Sequence, residues 1–415
     1  MEVAKRNLRG FAERAYRRPL EEAELDRLFN LMVIAWQKGS DPDEIFKTAV
    51  TALLASPQFL FRVELDPSPD DEDGIRKLSD FELASRLSYF LWSSMPDERL
   101  FELARGGQLS EPNMLAAEAK RLLADPKAAA LVENFAGQWL QLRDVDVLNP
   151  DPEQFAVFDD ELRSSMRRET ELFFESVMRE DRSLLEFLSA DYTYVNERLA
   201  RHYGMKDVRG NEFRRVAAGN GRRGVLTHAS ILMLTSNPTR TSPVKRGKWI
   251  LDNILGEAPP PPPPNVPELD AEAETFGSLR EQMQQHRSNE SCAVCHRKMD
   301  TLGFGLENFD AIGAWREKDG RFDIDPSGAL PGGRQFDGPT DLMAILVDEK
   351  KDAFCRCLTE KMLSYALGRG LDSYDRCAVK SIVKALHENE YRFHTLVTQI
   401  VTSEPFTMRE APREE

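Results

Sequence analysis

Six consecutive prolines, residues 259 to 264, place the strongest single constraint on how this chain can fold. Proline lacks a backbone N–H and fixes φ at about −65°, so the run fits neither a helix interior nor a central strand. It predicts an extended polyproline segment of roughly 3 Å per residue. We interpret it as a stiff spacer between two helical segments rather than as a ligand for an aromatic groove.

Apolar residues on either side of this spacer recur at helical spacing. One stripe runs from Leu25 to Trp36, and three more lie beyond residue 350, where they predict a C-terminal helical bundle. The stretch from Pro67 to Gly74 is acidic and rich in helix breakers, which indicates a linker. We therefore predict a mainly α chain, with several helical modules in series and a few short strands. The predicted modules are residues 1–66, 75–205, 213–335 with the spacer, and 336–412.

Capping and periodicity signals predict several element boundaries. Ser79 is a predicted N-cap, and Ser242 with Pro243 should begin a helix that runs from Val244 to Leu255 and stops at Gly256. Amphipathic patterns predict further helices at about 112–143 and 159–180. Weaker signals predict short strands at 213–216 and 224–226, and they leave 227–234 open between strand and helix.

The charge balance argues against two classes of partner. The chain has 70 acidic and 55 basic side chains and a formal net charge of −15, which repels nucleic-acid phosphates and anionic membrane surfaces. We predict no nucleic-acid partner. No apolar run approaches the length of a membrane-spanning helix, so we also predict no transmembrane segment. The N-terminal residues show no secretory signal.

All five cysteines lie beyond residue 290, which indicates local chemistry rather than a distributed disulfide framework. Two of them belong to the pattern Cys-Ala-Val-Cys-His at 292–296. Within about one helical turn, this spacing brings two sulfurs to one edge of a porphyrin, where they can add to its vinyl groups. The following imidazole then points at the iron. The motif predicts one covalent haem c, bound through Cys292 and Cys295 and ligated by His296.

A zinc or dithiol site is the competing interpretation of the same cysteine pair. It needs two more ligands, and Cys355 with Cys357 are the obvious candidates. Residues two apart on a helix point to opposite sides, and Cys355 already belongs to an apolar stripe, so this ligand set is geometrically awkward. For both residues, and for Cys377, we favour roles as small core or surface residues.

The sixth iron ligand and the propionate partners are less specific. Met299 lies three residues past His296 and so shares the proximal side. Arg316, beside Trp315, is a candidate partner for a propionate, with an ordinary solvated arginine as the equal alternative. Methionine and histidine are the usual distal ligands, and spacing does not rank the candidates. Those candidates are Met408, Met362, Met343, His286 and His228.

Residues that follow the motif supply candidate haem surroundings and two acidic pairs. The apolar residues between 302 and 312 can line a haem, and three glycines would allow close backbone approach to the ring. Each acidic pair fits a hydrolytic or calcium site, but such pairs are common on solvated faces. The glycines are Gly303, Gly305 and Gly313, and the acidic pairs are Glu307 with Asp310 and Asp323 with Asp325.

Long strings of this sequence resemble the planctomycete-type multi-domain cytochrome c-like proteins, a family assembled from modules of unknown function. Two of these strings resemble the first two modules of the family: FAERAYRRPLEEAELDRL at 11–28 and LSDFELASRLSYFLWSSMPDERL at 78–100. Residues 222–267, together with HRSNESCAVCHRKMDTLGFGLENFDAIGAWRE, are similar to the third module. The strings LSYALGRGLDSYD and SEPFTMR are similar to the last one.

The resemblance implies haem c at Cys292, Cys295 and His296, in a cytochrome c-like segment followed by the C-terminal helical bundle. It also implies a periplasmic or other extracytoplasmic location and a redox role whose substrate is unassigned. It favours Met408, inside SEPFTMR, as the distal ligand. Members often carry a secretion signal and a further haem module upstream. We therefore expect this chain to be the C-terminal part of a longer architecture or a product with a misplaced start.

Three functions remain open from the sequence. The first is an electron-transfer protein, or the redox domain of an oxidoreductase, whose helical modules dock a redox partner protein. The second is a scaffold that binds a protein or polysaccharide partner and in which haem is secondary. The third is a structural zinc site at the cysteine pair.

Overall fold

The fold is known from a computed structural model that describes residues 2–64, 75–260, 277–286, 290–330 and 333–410. Residues 285, 286, 290–295, 297 and 410 are described by their backbone alone. The structure is 61% helical with a few short strands, which confirms the predicted mainly α fold class. The predicted linker, and prolines 261–264 of the predicted spacer, lie outside the described residues.

Helices of four to twenty residues make up most of the structure, with a few three-residue turns of α-helix between them. The α-helices of the described residues are α1 Glu2–Tyr16, α2 Glu22–Gln37, α3 Pro42–Leu54, α4 Pro57–Leu60, α5 Asp80–Trp92, α6 Glu98–Arg105, α7 Pro112–Ala124, α8 Ala129–Leu131, α9 Gly137–Trp139, α10 Asp160–Arg179, α11 Glu186–Ser189, α12 Glu197–His202, α13 Ala229–Leu234, α14 Pro243–Trp249, α15 Leu279–His286, α16 Glu290–Phe304, α17 Pro339–Glu349, α18 Lys351–Leu367, α19 Asp375–Glu388, α20 Phe393–Val401 and α21 Glu404–Thr407.

Short strands pair two by two, always antiparallel. The pairs are β1 Ile75–Lys77 with β8 Met408–Glu410, β2 Tyr192–Val195 with β3 Arg214–Ala217, β4 Lys318–Asp319 with β5 Phe322–Asp323, and β6 Ser327–Ala329 with β7 Gln335–Asp337. Tighter and wider helical turns complete the elements: 3-10 turns at Pro126–Ala128, Leu142–Val147 and Val225–Thr227, and π-helical segments at Val132–Ala136 and Ile250–Leu255.

The capping predictions are confirmed. The Ser79 hydroxyl accepts the Glu82 backbone N–H, and the Glu82 carboxylate accepts the Ser79 backbone N–H, which makes a capping box at the start of α5. Ser242 accepts the Lys245 backbone N–H at the start of α14. The predicted stop also holds, because Gly256 adopts a φ of 64°, in the left-handed region that ends helices.

Other boundary predictions were only partly correct. The predicted helix at 112–143 ends at Ala124, because Pro126 has no N–H to continue it. The helix predicted from 244 to 255 becomes π-helical after Trp249. Residues 225–227 form a 3-10 turn rather than a strand, and Ala229–Leu234 is helical. The predicted strand near 213–216 exists, and its partner β2 was not predicted.

The chain forms two compact units, each built from segments that are distant in sequence. The N-terminal unit comprises Met1–Leu131, Ser364–Ala378 and Val397–Glu415, and the central unit comprises Val132–Leu363 and Val379–Leu396. In the first unit a core cluster that includes Leu8, Leu25 and Leu53 joins α1, α2 and α3. In the central unit a core cluster joins Met166 of α10 to Ile312, which follows α16. None of the helices described is long and apolar enough to cross a bilayer.

Candidate functional site

Helix α16 carries the cysteine motif and is held against α14 by backbone-to-backbone contact. A Cβ atom on Gly247 would stand 1.8 Å from the carbonyl oxygen of Met299, and one on Gly303 would stand 1.9 Å from the carbonyl oxygen of Pro243. Only glycine fits at such distances. The backbone of α16 is helical from residue 290 to residue 304, so positions 292, 295 and 296 lie within little more than one helical turn.

His296 forms a hydrogen bond to a buried carboxylate one turn further along α16. The imidazole Nδ1 lies 3.1 Å from Oδ1 of Asp300, whose side chain is 0% exposed, while the His296 side chain is 19% exposed. Because a carboxylate only accepts, Nδ1 donates in this bond, which orients the imidazole ring through that nitrogen. Histidines that bind metals are typically oriented by such a carboxylate on the other nitrogen.

A buried arginine and a buried glutamate join α14 to the segment that follows α16. Arg246 is 1% exposed, and its Nη1 lies 3.1 Å from Oε1 of Glu307. The same guanidinium donates to the carbonyl oxygens of Leu306, Phe309 and Asp310 at 2.7 to 2.9 Å. Burial lowers the pKa of Arg246 to about 10, against the opposing effect of Glu307. This cluster fixes the chain immediately after the motif helix.

Arg316, the predicted propionate partner, belongs to the same cluster. Its guanidinium donates to Oε2 of Glu307 at 3.1 Å, to Oδ1 of Asp319 at 2.8 Å and to the Thr241 hydroxyl at 3.1 Å. Its side chain is 18% exposed, so it is neither fully solvated nor fully enclosed. A contact between Arg316 and a propionate stays a prediction.

The two acidic pairs considered from the sequence have different environments. Glu307 is 5% exposed and pairs with two arginines, so it does not lie on a solvated face. Asp310 accepts the backbone N–H groups of Ile312 and Ala314, which shapes a turn. Asp323 is exposed, and Asp325 pairs with Arg280. Each carboxylate therefore has a structural explanation or is solvated.

The candidate distal ligands are widely distributed. Met408 lies on β8 in the N-terminal unit, opposite Lys77, whereas His296 belongs to the central unit. Met343 and Met362 are buried in the central unit, with exposures of 1% and 0%. The side chain of His286 is not among those described. The assignment of Met408 as a distal ligand stays a prediction.

His228, the remaining candidate, belongs to a second buried polar cluster in the central unit. Its Nδ1 lies 2.9 Å from the Thr170 hydroxyl, and burial lowers its pKa to about 3. Nearby on α10, the Glu169 carboxylate accepts the hydroxyls of Thr193 and Tyr203, each at 2.6 Å. Burial raises the pKa of Glu169 to about 7, with those two hydrogen bonds acting in the opposite direction.

Cys355 and Cys357, the candidate extra zinc ligands, are buried free thiols. Burial raises the pKa of Cys355 to about 12 and that of Cys357 to about 11. The Cys357 thiol donates to the carbonyl oxygen of Asn253 over 3.5 Å. Zinc binds thiolates, so this environment disfavours both residues as ligands. Cys377 is exposed. The side chains of Cys292 and Cys295 are not among those described.

The glycines expected to admit a ring pack instead against protein. Besides the contact of Gly303 with α14, Gly305 lies against Leu342 and Phe336, and Gly313 lies against Ala229. The apolar residues from 302 to 312 are buried in the protein, and their role as a haem wall stays a prediction. Two residues of the site, Asp300 and Arg246, were not predicted from the sequence. Asp300 has a usable signal, because a carboxylate four residues after a helical histidine shares its face. Arg246 has none, because its partner lies 61 residues away.

Four protein-family models match the chain in succession. Each model is described as a protein of unknown function. Residues 3–64 match DUF1595, 78–205 match DUF1592, 222–319 match DUF1588 and 332–406 match DUF1585. The chain is a series of four planctomycete-type cytochrome c-like modules. The cysteine motif of this four-module chain falls within the DUF1588 match. A comparison with curated proteins finds no match, and a comparison with solved structures finds none either.

Proposed function

We propose that the chain binds one haem c, with thioether bonds from Cys292 and Cys295 and with His296 as an axial ligand, and that it transfers electrons outside the cytoplasm. It acts either as an electron-transfer protein or as the redox domain of an oxidoreductase. A redox partner protein docks on its helical modules. Bound haem would supply one-electron chemistry at its iron.

The observation that carries this proposal is the bond between His296 and Asp300. It orients the imidazole through Nδ1, as carboxylates typically do for histidines that bind metals. The residues present therefore fit haem c. The cytochrome c-like modules and the helical backbone from 290 to 304 support the same conclusion. Arg316, at 18% exposure, is available for a propionate only if it gives up part of its contact with Glu307 or Asp319.

The decisive experiment is export of the chain from a host that carries haem c attachment machinery. We expect a mass increase of one haem and a Soret band that survives denaturation and acid extraction. The double variant Cys292→Ser with Cys295→Ser should be colourless. The matched control, Cys355→Ser with Cys357→Ser, removes two other cysteines of the same unit and should keep the haem. A colourless wild-type protein that contains zinc would refute the proposal.

The role of Asp300 can be tested on the loaded protein. The change Asp300→Asn keeps a hydrogen-bond acceptor and removes the charge behind His296. We expect a higher reduction potential, because a less basic imidazole stabilises oxidised iron less. Each tenfold change in the relative affinity for the two iron states corresponds to about 59 mV. An unchanged potential with intact haem attachment would show that Asp300 does not tune the iron.

A further inference from the structure

The N-terminal unit contains a cavity of about 530 Å³ whose lining is strongly cationic. Side chains of α5, of β1 and of the stretches 16–19 and 58–64 surround it. Six of the lining residues are basic and two are acidic, although the whole chain carries a net charge of −15. This local excess of positive charge is therefore a property of the cavity. The basic lining residues are Arg17, Arg18, Arg62, Arg76, Lys77 and Arg86, and the acidic ones are Glu64 and Glu82.

Both acidic residues of the lining are already neutralised. Glu64 pairs with Arg86 through two bonds of 2.6 and 2.8 Å, and Glu82 pairs with Arg76 through two bonds of 2.8 and 3.0 Å. Arg18 forms its own bidentate pair with Glu24, at 2.7 and 2.8 Å. Within the described residues, none of the other three lining cations forms an ion pair with a carboxylate.

Arg17 is the most unusual of these cations, because it is buried without a carboxylate. It is 5% exposed. Its guanidinium donates to the carbonyl oxygens of Gln58, Phe59 and Phe61 and to the Tyr89 hydroxyl, which are all neutral acceptors. Buried charges in proteins are normally paired with an opposite charge. Its backbone is also strained, with a φ of 60° that non-glycine residues rarely adopt.

Arg62 brings a second uncompensated guanidinium to the same place. Both it and Arg17 lie over the ring of Tyr89, at 5.7 and 5.5 Å from the ring centroid. Arg62 forms no hydrogen bond or ion pair within the described residues. Although the side chain is exposed, partial desolvation by neighbouring atoms lowers its pKa, Arg86 and Arg17 lower it further, and Glu64 opposes them. Lys77, the third such cation, is exposed and likewise has no carboxylate partner within the described part of the chain.

We propose that this cavity binds a small organic anion, whose carboxylate or phosphate group pairs with Arg17 and Arg62. The planar guanidinium of Arg62 matches the oxygens of both kinds of anion, and Arg17, whose Nη atoms are bound by protein oxygens, contributes its positive charge. A bare inorganic ion would leave most of the volume unfilled, and pockets of this size hold small organic molecules. Tyr16, Val63 and Phe81 supply apolar wall for the body of the ligand. This inference is independent of haem binding.

Titration calorimetry of the full chain tests the proposal with four probes: phenyl phosphate, benzoate, inorganic phosphate and the neutral benzyl alcohol. We expect the two organic anions to bind, inorganic phosphate to bind more weakly and benzyl alcohol not to bind measurably. Added sodium chloride should weaken the binding. Equal binding of benzyl alcohol and phenyl phosphate, or no binding of any anion, would overturn the proposal.

Variants locate the site. Arg62→Gln should weaken phenyl phosphate binding about tenfold or more, because a charge-assisted contact is lost. Arg62 is exposed and makes no hydrogen bond within the described residues, so this change should not disturb folding. Lys77→Gln provides a second exposed variant with a smaller loss in the same direction. Arg105→Gln, which changes the charge of the same unit away from the cavity, should bind like the wild type. An Arg62 variant that binds like the wild type would refute the site.

The chain's own acidic run between Glu64 and Ile75 supplies a further control. Asp70, Asp71, Glu72 and Asp73 are replaced together by their amides, and the phenyl phosphate titration is repeated. Affinity within a few-fold of the wild type supports a pocket for an external anion. Binding that appears only in this variant would identify the run itself as the counter-charge and overturn the proposal.

Discussion

Two buried arginines, Arg246 in the central unit and Arg17 in the N-terminal unit, differ in the groups that stabilise their buried positive charge. Arg246 is enclosed by protein and has Glu307 at 3.1 Å, so its counter-charge is built into the chain. Arg17 has only neutral acceptors, and it lines a cavity. The difference indicates that a cation sealed in a core requires an internal carboxylate, whereas one beside a cavity can receive its counter-ion from outside.

The largest effect that separates the two regions should come from Arg246→Met. We expect the free energy of unfolding of the central unit to fall by about 3–5 kcal/mol, because buried carbonyls and one side of Glu307 lose their donor. Hydrogen–deuterium exchange along a urea series measures each unit separately. Lys384→Ala, at an exposed ion pair of the same unit, should cost less than about 1 kcal/mol. Similar losses in the two variants would contradict the enclosed cluster.

A second change forces two closely packed helices of the central unit apart. Gly247→Ala places a methyl group 1.8 Å from the Met299 carbonyl oxygen, so α14 and α16 must move apart. We expect a loss of about 3 kcal/mol, at the upper end for overpacking, by the same exchange measurement. Gly137→Ala is the matched control, because its new methyl group meets only the Arg143 side chain at 3.8 Å. A tolerated Gly247 variant would mean that the two helices do not touch by their backbones.

The third change replaces the buried arginine that lines the cavity of the N-terminal unit, as the first change replaces Arg246 in the central unit. Arg17→Met removes the donor from three carbonyl oxygens but strands no carboxylate, and water in the cavity can replace the lost bonds. We therefore expect the N-terminal unit to lose about 1–3 kcal/mol, less than Arg246→Met costs the central unit. The exposed Arg14→Met should change stability by less than about 0.5 kcal/mol. A loss larger than that of the Arg246 variant would reverse the comparison.

The most gradual effect should be a pH dependence at Glu169. Its pKa is raised from 4.5 to about 7 in the folded state, so the folded protein holds a proton that the unfolded chain has released between these values. Its contribution therefore falls as the pH rises from about 4.5 to 7. Glu169→Gln should gain stability relative to wild type across that window, by at most about 1.4 kcal/mol per pH unit. Urea titrations at several pH values measure it. Glu161→Gln, exposed on the same helix, should follow the wild-type profile.

Local signals in the sequence predict the helices and their caps, and distant pairings explain what the sequence could not predict. Ser79, Ser242 and Gly256 act within one helical turn, so their roles can be read directly from the residues around them. The partner of Arg246 lies 61 residues away, and the carbonyl partners of Arg17 lie 41 to 44 residues away. No periodicity connects residues at such separations. The Cys-Ala-Val-Cys-His motif is compact enough to be recognised, whereas a distal ligand for the proposed haem would depend on folding over long distances.

The division of the N-terminal unit among three stretches of chain has a consequence for how the protein is made. Strand β1 pairs with β8, and Arg86 of α5 donates to the Phe406 carbonyl oxygen, so residues synthesised early depend on residues synthesised more than 300 positions later. This unit cannot finish folding while residues 397–410 are still being made.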